Sequence, residues 1–154
     1  MPARKKRPAK FKFVPFSEQQ RRLIHWWRPG LRTAESNYVV ADGSIRSGKT
    51  IACIIGFLTW SQEMFSGQSF ILAGKTMSAL KRNVVRPMQQ ILEAWGWPYE
   101  YIRSGSEARL EIGSNTYYLY GANTEASQDA LQGLTAAGAY LDEAALFPKS
   151  FVDQ

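Results

Sequence analysis

Short apolar runs recur along the chain and are separated by longer segments with helical spacing. Runs of about five apolar residues bounded by turn residues are typical of buried strands. Three such runs predict strands at 37–41 (NYVVA), 69–73 (SFILA) and 136–141 (AAGAYL). A β-hairpin is predicted over 109–120, where RLEI and TYYLY flank the turn residues GSN.

Three longer segments predict helices, at 17–27, 48–65 and 77–95. Ser17 is a candidate N-cap of the first helix, with Gln20 at the capping-box position. The second helix is apolar nearly all round and is expected to end before Gly67. The third is amphipathic, and Pro87 within it predicts a kink or a break.

The order of these elements predicts an α/β fold. Strands that alternate with helices are typical of a parallel sheet flanked by helices. Ligands bind such sheets at the carboxyl ends of the strands. A glycine-containing loop follows the strand at 37–41, and Asp142 and Glu143 follow the strand at 136–141. Both are therefore predicted to lie at the ligand-binding edge.

The composition indicates one globular domain without a membrane span. The 154 residues are 45% hydrophobic and 21% charged, as in ordinary soluble proteins. The longest apolar run, 51–60, is shorter than the roughly 20 residues of a membrane helix. No apolar segment of a secretory signal follows the basic N-terminus. The single cysteine, Cys53, cannot form an internal disulfide, which fits a reducing compartment.

Positive charge is concentrated near the N-terminus. Residues 1–32 carry a net charge of +9, whereas the remaining residues carry −3. Residues 1–15 are therefore interpreted as a basic flexible arm. The arm is compatible with a solubilising tail, with a contact to nucleic-acid phosphates, or with a nuclear-import signal.

Residues 43–50, GSIRSGKT, fit the phosphate-loop pattern G-x-x-x-x-G-K-[ST] at every defined position. Gly43 and Gly48 permit the positive φ angles of a backbone that curls around phosphate. The N–H groups from about Ser44 to Thr50, including those of Ile45, Arg46 and Ser47, are expected to form an anion nest backed by the following helix. Lys49 is predicted to reach the β- and γ-phosphates, and the Thr50 hydroxyl to bind Mg²⁺.

Asp142 and Glu143 are predicted to complete the site. An acid at the end of a neighbouring parallel strand is placed to hold the Mg²⁺ that bridges the phosphates. A second acid beside it is placed to take a proton from the attacking water. The alternative is a solvated turn or a helix N-cap.

Other polar and aromatic residues have two readings each. Arg46 is either a cation that stabilises charge on the γ-phosphate or a solvent-facing loop residue. A group of mostly basic residues forms either a DNA-facing edge or the solvent-exposed face of a helix: Lys75, Thr76, Lys81, Arg82 and Arg86. Trp26 and Trp27 either stack on a base or belong to the core, and His25, the only histidine, is interpreted as structural.

Taken together, these motifs resemble the ATPase domain of phage terminase large subunits, the motors that pump viral DNA into proheads. The resemblance rests on four segments that follow one another in the expected order. They are FSEQQRRLI, GSIRSGKT, ILAGKTMSALKRNVVRPM and YLYGANTEASQDALQGLTAAGAYLDEAALFP, and together they cover about residues 16–150. This resemblance implies a RecA/ASCE-like P-loop fold with a β-hairpin insertion.

The resemblance also implies roles for individual residues. Gln20 matches a glutamine that contacts adenine. Lys49 and Thr50 match the residues on phosphate and Mg²⁺, Asp142 the Mg²⁺ ligand and Glu143 the base that activates water. The implied cofactors are ATP and Mg²⁺. An arginine in the loop that responds to the γ-phosphate is matched by Arg46, one position later than in several branches of the family.

The family comparison further implies what lies around this segment. Residues 16–154 are expected to correspond to a partial ATPase domain that is incomplete at its C-terminus, and the C-terminal nuclease domain of the family is expected to be absent. The implied partners are double-stranded DNA, the terminase small subunit and the portal, in a ring of several copies in the cytoplasm of a bacterial host. Two alternatives are a helicase-like ATPase, because of Asp-Glu-Ala-Ala, and a non-catalytic DNA-binding remnant.

Overall fold

The computed structural model describes residues 16–35, 48–103, 108–122 and 135–142. The predicted strand at 37–41 lies outside these ranges. Five strands form one sheet, in the order β2-β3-β4-β1-β5. Their bounds are β1 Ser69–Gly74, β2 Tyr99–Ile102, β3 Arg109–Ile112, β4 Asn115–Gly121 and β5 Gly138–Leu141.

The sheet is parallel where the site is expected and antiparallel at its far edge. β1 lies in the middle of the parallel part and pairs with β4 on one side and β5 on the other. β3 and β4 form the predicted hairpin, and β2 pairs antiparallel with β3 at the outer edge. The α/β fold with a hairpin insertion is therefore confirmed, and β2 is a strand that the apolar pattern did not predict.

The first two helices form where the sequence predicts them. Helix α1 spans Glu18–His25 and begins with a complete capping box between Ser17 and Gln20. A single 3₁₀ turn follows at Arg32–Glu35. Helix α2 spans Lys49–Met64, and buried apolar side chains lie on most of its circumference. An all-round apolar helix belongs inside a protein, and α2 packs between the sheet and α1.

The predicted helix over 77–95 is helical throughout but changes its winding before Pro87. Helix α3 covers Met77–Leu80, a π-helical turn covers Lys81–Val85, and helix α4 covers Arg86–Trp95. Proline lacks an N–H group and its ring crowds the carbonyl one turn earlier. The wider π turn accommodates both problems, so the segment continues instead of breaking.

One aromatic cluster fills the space between α2 and the sheet. The ring of Phe57 makes edge contacts with Phe70, Tyr117 and Tyr140, with centroids 5.7–6.1 Å apart. Phe70 and Tyr117, on neighbouring strands, stack at 5.1 Å. Such contacts fix the distance between helix and sheet, and hence the position of the N-terminus of α2 over the strands.

A buried polar network secures the far end of α2 to the hairpin. The amide of Asn115 donates to the carbonyl oxygens of Ser61 and Phe65 at 3.1 and 3.2 Å. The hydroxyl groups of Ser61 and Tyr117 lie 2.5 Å apart, and Gln62 donates to the Tyr117 hydroxyl at 2.9 Å. Satisfied buried polar groups restrict a helix to one register against its sheet.

Candidate phosphate-binding site

The N-terminus of α2 has the backbone geometry that an anion site requires. Gly48 is the N-cap and has φ 71° and ψ 12°, in the left-handed region. Glycine adopts this region without steric cost, which explains the second glycine of the motif. Lys49 and Thr50 occupy the first two helical positions. The N–H groups of a first helical turn point away from the helix and attract anions.

Gln20 connects α1 to this N-terminus. Its Nε2 donates to the Gly48 carbonyl oxygen at 3.3 Å, across 28 residues of sequence. Its Oε1 accepts from the backbone N–H of Ser17 at 2.8 Å, which is half of the capping box. The sequence predicts the capping box but gives no signal for the contact with Gly48.

Asp142 directly follows β5 at the carboxyl edge of the sheet. Its backbone N–H donates to the carbonyl of Ala73 at 2.8 Å, so the ladder between β1 and β5 extends to this residue. Side chains alternate along a strand, so those of Gly138, Tyr140 and Asp142 lie on one face. Asp142 is half-buried.

That face of β5 packs against α2, and the two elements run in opposite directions. A Cβ atom built on Gly138 would lie 2.6 Å from the ring of Trp60. Two residues further along β5, the ring of Tyr140 contacts Phe57, one turn closer to the start of α2. The same step brings Asp142 towards the first turns of α2, where Lys49 and Thr50 lie.

Electrostatic interactions follow the same line of residues. Burial raises the pKa of the Tyr140 hydroxyl, and the nearby Cys53 and Asp142 raise it further. Burial also raises the pKa of the Cys53 thiol, and the Lys49 ammonium opposes that shift. Cys53 thus interacts with Lys49 and with Tyr140, and Tyr140 interacts with Asp142. The sequence gives no signal for these interactions between α2 and β5.

The remaining predicted site residues lie outside the described ranges. They are Gly43, Ser44, Ile45, Arg46, Ser47 and Glu143. Of the predicted set, the structure therefore places Gln20, Gly48, Lys49, Thr50 and Asp142. Within the described ranges, no group of three or more His, Cys, Asp or Glu side chains forms a metal-binding cluster. The two predicted Mg²⁺ ligands, Thr50 and Asp142, come from separate elements.

Four exposed cations form a ridge that starts at the same edge of the sheet. Lys75 follows β1, and Lys81, Arg82 and Arg86 lie on the solvent side of the helical segment after it. We call these four residues the cationic ridge. The sequence contains no acidic residue from Lys75 to Leu92. Thr76 is the N-cap of α3 and accepts from Ala79 at 3.0 Å, so its hydroxyl has a structural role.

The histidine and aromatic candidates lie at the end of α1 and directly after it. The ring of Trp26 contacts Trp60 of α2 at 5.7 Å, and the indole N–H of Trp27 donates to the Ile24 carbonyl at 3.0 Å. Both tryptophans therefore have structural contacts. Burial and the cations Arg28 and Arg21 lower the pKa of His25. In the part of the chain that the structure describes, every helix is too short or too polar to cross a membrane.

The family model and the solved structures that match this chain indicate the same family. Residues 40–152 match the family model described as the N-terminal part of the terminase large subunit, T4likevirus-type. The large terminase of a thermophilic bacteriophage superposes with a TM-score of 0.84 and is 39% identical in sequence. That match covers 91% of this chain and 35% of the thermophilic phage chain. No curated protein matches the chain.

Two further structures of the thermophilic phage terminase contain nucleotides. The complex with ADP is 38% identical, with a TM-score of 0.80, and the match covers 90% of this chain and 34% of the other. The complex with ATP-gamma-S is 36% identical, with a TM-score of 0.79 and the same coverage. The chain thus spans about a third of the length of the structures that it matches.

Proposed function

This chain belongs to the family of phage terminase large subunits, and from that premise we propose that it is part of an ATP-driven motor that packages viral DNA. In this proposal residues 1–15 are a basic arm and 16–154 are part of a P-loop ATPase domain. The observation that carries it is that Gly48, Lys49 and Thr50 begin α2, and that α2 packs on the face of β5 that leads to Asp142.

The proposed nucleotide site binds the triphosphate mainly through the backbone. The N–H groups of the first turn of α2, together with residues 43–47, hold the phosphate oxygens. Lys49 adds a mobile positive charge for the β- and γ-phosphates. The left-handed Gly48 supports this role because it turns the chain into the helix without a side chain in the way. The nucleotides bound to the thermophilic phage terminase point to the same ligand class.

The residues present fit a magnesium ion. Mg²⁺ prefers hard oxygen ligands, and the Thr50 hydroxyl and the Asp142 carboxylate supply two such oxygens. When bound, the ion would neutralise negative charge on the phosphate groups. Thr50 from the helix and Asp142 from the end of the strand would hold the ion.

Two residues outside the described ranges complete the proposal. Glu143, next to Asp142, accepts the proton of the attacking water as a general base. Arg46 within the loop stabilises charge at the γ-phosphate. Both assignments rest on the motif and on the family, and a variant at Glu143 tests the first of them.

Double-stranded DNA is the proposed partner, and the cationic ridge supports it. Four exposed cations without an intervening acid create a positive surface beside the nucleotide edge. By family, the terminase small subunit, the portal and further copies of the motor in a ring are the protein partners, and the host cytoplasm is the location. A nucleotide-binding, DNA-binding remnant without turnover is the second candidate, because the cationic ridge and the start of α2 require no hydrolysis to bind their ligands.

The decisive experiment compares nucleotide binding and hydrolysis in the wild-type chain and in two variants. Lys49→Ala is expected to weaken Mg²⁺–ATP binding about tenfold or more, because it removes a charge-assisted contact. Glu143→Gln is expected to bind ATP normally but to abolish any hydrolysis that duplex DNA stimulates. Lys81→Ala, on the cationic ridge, is the control for loss of one positive charge and should bind ATP as the wild type does.

The outcomes separate the two candidates. DNA-stimulated hydrolysis that disappears in Glu143→Gln supports the motor. If the wild type and Glu143→Gln both bind ATP without hydrolysing it, and DNA binding is sensitive to salt, the remnant is supported. A wild-type chain that does not bind Mg²⁺–ATP would contradict both.

A further inference from the structure

A cavity of about 370 Å³ opens between the end of α1 and the turn that follows it. It is lined by two guanidinium groups, an imidazole, an indole, an aliphatic side chain and a hydroxyl group: Arg22, Arg32, His25, Trp26, Leu31 and Thr33. Cavities of a few hundred Å³ have the size of sites for small ligands or single side chains. Trp26 contacts Trp60, about three turns of α2 beyond Lys49, so the cavity is separate from the candidate phosphate-binding site.

Hydrogen bonds hold the two walls of the cavity together. The Thr33 hydroxyl donates to the Trp26 carbonyl at 2.8 Å. Within the turn, the Arg28 N–H donates to the His25 carbonyl at 3.1 Å and the Leu31 N–H to the Arg28 carbonyl at 3.2 Å. A site that is already held in shape loses little conformational freedom when a ligand binds. The cavity is therefore a preformed feature of the fold.

Most of the cavity wall is apolar. The side chain of Leu31 is 48% exposed, and the indole of Trp26 lines the same cavity. Single exposed leucines are common on protein surfaces. Here, however, an apolar group entering the cavity would contact an aliphatic and an aromatic side chain together, and its transfer from water is favourable. The cavity therefore fits one large apolar side chain.

Positive charge flanks the apolar wall. Arg22 comes from α1 and Arg32 from the 3₁₀ turn. Glu18 forms an ion pair with Arg22 at 3.1 Å, but both side chains are exposed, and exposed pairs contribute little to stability. A carboxylate of a ligand can therefore compete for Arg22, and guanidinium groups bind carboxylates through paired hydrogen bonds. The charge of the cavity selects an acidic ligand.

The composition of this segment favours a protein ligand over a nucleic acid. Residues 16–35 contain four arginines, two tryptophans and no lysine. Arginine and tryptophan are enriched at protein–protein interfaces, whereas lysine is depleted there. Surfaces that bind nucleic-acid phosphates use both lysine and arginine. Residues 1–15 carry six cations and no acidic residue, so like charge disfavours them as the occupant.

We propose that the cavity binds an acidic peptide segment of a partner protein. One large apolar side chain of the peptide lies between Trp26 and Leu31, and neighbouring carboxylates pair with Arg22 and Arg32. Binding of this peptide requires neither nucleotide nor DNA, so it is independent of the proposed motor function.

The test selects peptides from a random dodecapeptide library on the wild-type chain and measures the affinity of the enriched peptides. These are expected to contain an aromatic or long aliphatic residue next to two or more Asp or Glu residues. Leu31→Ser should weaken their binding about fivefold, because apolar contact area is lost. Replacing Arg22 and Arg32 together by glutamine should weaken it about tenfold or more, because two charge-assisted contacts are lost.

Two control variants carry the same kinds of change outside the cavity. Met64→Ser alters another exposed apolar side chain, 51% exposed at the end of α2, and should leave peptide binding unchanged. Replacing Arg82 and Arg86 together by glutamine removes the same charge from the cationic ridge and should weaken peptide binding less than the cavity pair does. The substituted side chains are all exposed, so each variant should keep the thermal stability of the wild type.

The inference is overturned if no peptides with acidic residues are enriched, or if the enriched peptides bind the wild type and both cavity variants equally well. A twelve-nucleotide single strand of DNA is tested in parallel. If it loses more affinity in the arginine pair of the cavity than in the pair of the ridge, and no acidic peptide is enriched, the cavity binds nucleic acid instead. Enrichment of acidic peptides whose binding depends on Leu31 and on both arginines supports a protein partner.

Discussion

Two glycines with nearly the same backbone angle differ in what surrounds them. Gly48 has φ 71° and Gly67 has φ 68°. A Cβ at Gly48 would lie 2.2 Å from Nε2 of Gln20, whereas a Cβ at Gly67 would meet nothing within 4 Å. The backbone requirement is therefore common to both, and the contact with a neighbour is specific to Gly48.

Substitution of these glycines by alanine separates strain from site geometry. Both Gly48→Ala and Gly67→Ala should lower the free energy of unfolding by about 1–2 kcal/mol, the cost of a left-handed alanine. Gly48→Ala should in addition displace Gln20 and weaken Mg²⁺–ATP binding, whereas Gly67→Ala should not. Chemical denaturation and equilibrium nucleotide binding test the pair. Equal nucleotide affinity in the two variants would show that Gly48 has only a backbone role.

His25 gives a pH dependence that is straightforward to assign, since the chain has no other histidine. Burial and two cations lower the pKa of His25 below its ordinary value of about 6.5. Its Nδ1 is buried and has no hydrogen-bond partner in the described part of the chain, which fits a neutral ring protonated on Nε2. The folded protein therefore binds this proton less readily than the unfolded chain does.

The sign of the effect on stability follows from this difference in proton binding. The contribution of His25 to the free energy of unfolding should be fully present above pH 6.5 and should decline as the pH falls below it. An NMR titration of the imidazole is expected to give a pKa below 6.5. Chemical denaturation of the wild type and of His25→Gln between pH 5 and 7 gives the corresponding difference in the free energy of unfolding. A measured pKa at or above 6.5 would contradict the prediction.

At the scale of elements, the crossing of α1 and α2 depends on Gly56. Helix propensity alone predicts that Gly56→Ala stabilises α2 by about 1 kcal/mol. The new methyl group would, however, meet the backbone of α1, which cannot move aside as a side chain can. We expect overpacking to dominate, with a net loss of about 1–2 kcal/mol.

The measurement for Gly56→Ala is the free energy of unfolding, with Glu63→Ala as the control. Glu63 is exposed near the end of the same helix, so its substitution by alanine adds no volume at the crossing. Mg²⁺–ATP affinity should fall in Gly56→Ala and not in the control, because α1 positions Gln20. Stabilisation of Gly56→Ala would mean that the helices approach less closely than the structure indicates.

At the scale of the whole molecule, the cationic ridge predicts how DNA binding depends on salt. Replacing Lys81, Arg82 and Arg86 simultaneously by glutamine should weaken the binding of duplex DNA of any sequence. Each phosphate contact removed should reduce the slope of log affinity against log salt by about 1. Titration of a short duplex at several salt concentrations measures the slope.

The control changes the same net charge on another surface. It replaces three exposed arginines of α1 and the turn after it with glutamine: Arg22, Arg28 and Arg32. A smaller change of slope in this control supports a specific ridge. Equal changes in both triple variants would indicate that total charge alone governs binding.

Much of the fold was predictable because its signals are local. The capping box of α1, the apolar circumference of α2, the hairpin turn and the apolar runs of β1 and β5 are each encoded within a few consecutive residues. β2 was missed because YEYI is only four residues long and its place at the sheet edge depends on pairing with β3, further along the chain. The π turn before Pro87 was predicted only as an unspecified kink or break.

The site was predictable in its motifs and less so in its internal contacts. Gly48, Lys49 and Asp142 were predicted as site residues because phosphate and metal chemistry restricts the residue types and their order, and that prediction stays a prediction. The Gln20–Gly48 contact spans 28 residues. The interaction of Tyr140 with Cys53 forms only once β5 packs on α2. Contacts between distant segments depend on packing, which no local pattern specifies.

The π turn at Lys81–Val85 also affects how related sequences should be aligned. Its closing bond, from the Arg86 N–H to the Lys81 carbonyl, encloses one residue more than an α-helical turn. Buried Leu80 precedes the turn and buried Met88 follows it, so the extra residue is absorbed without moving either from the core. A relative lacking one residue here, and lacking the proline, would keep the same interior with an ordinary helix. A one-residue gap at this point is therefore a change of helical winding and no sign of a different fold.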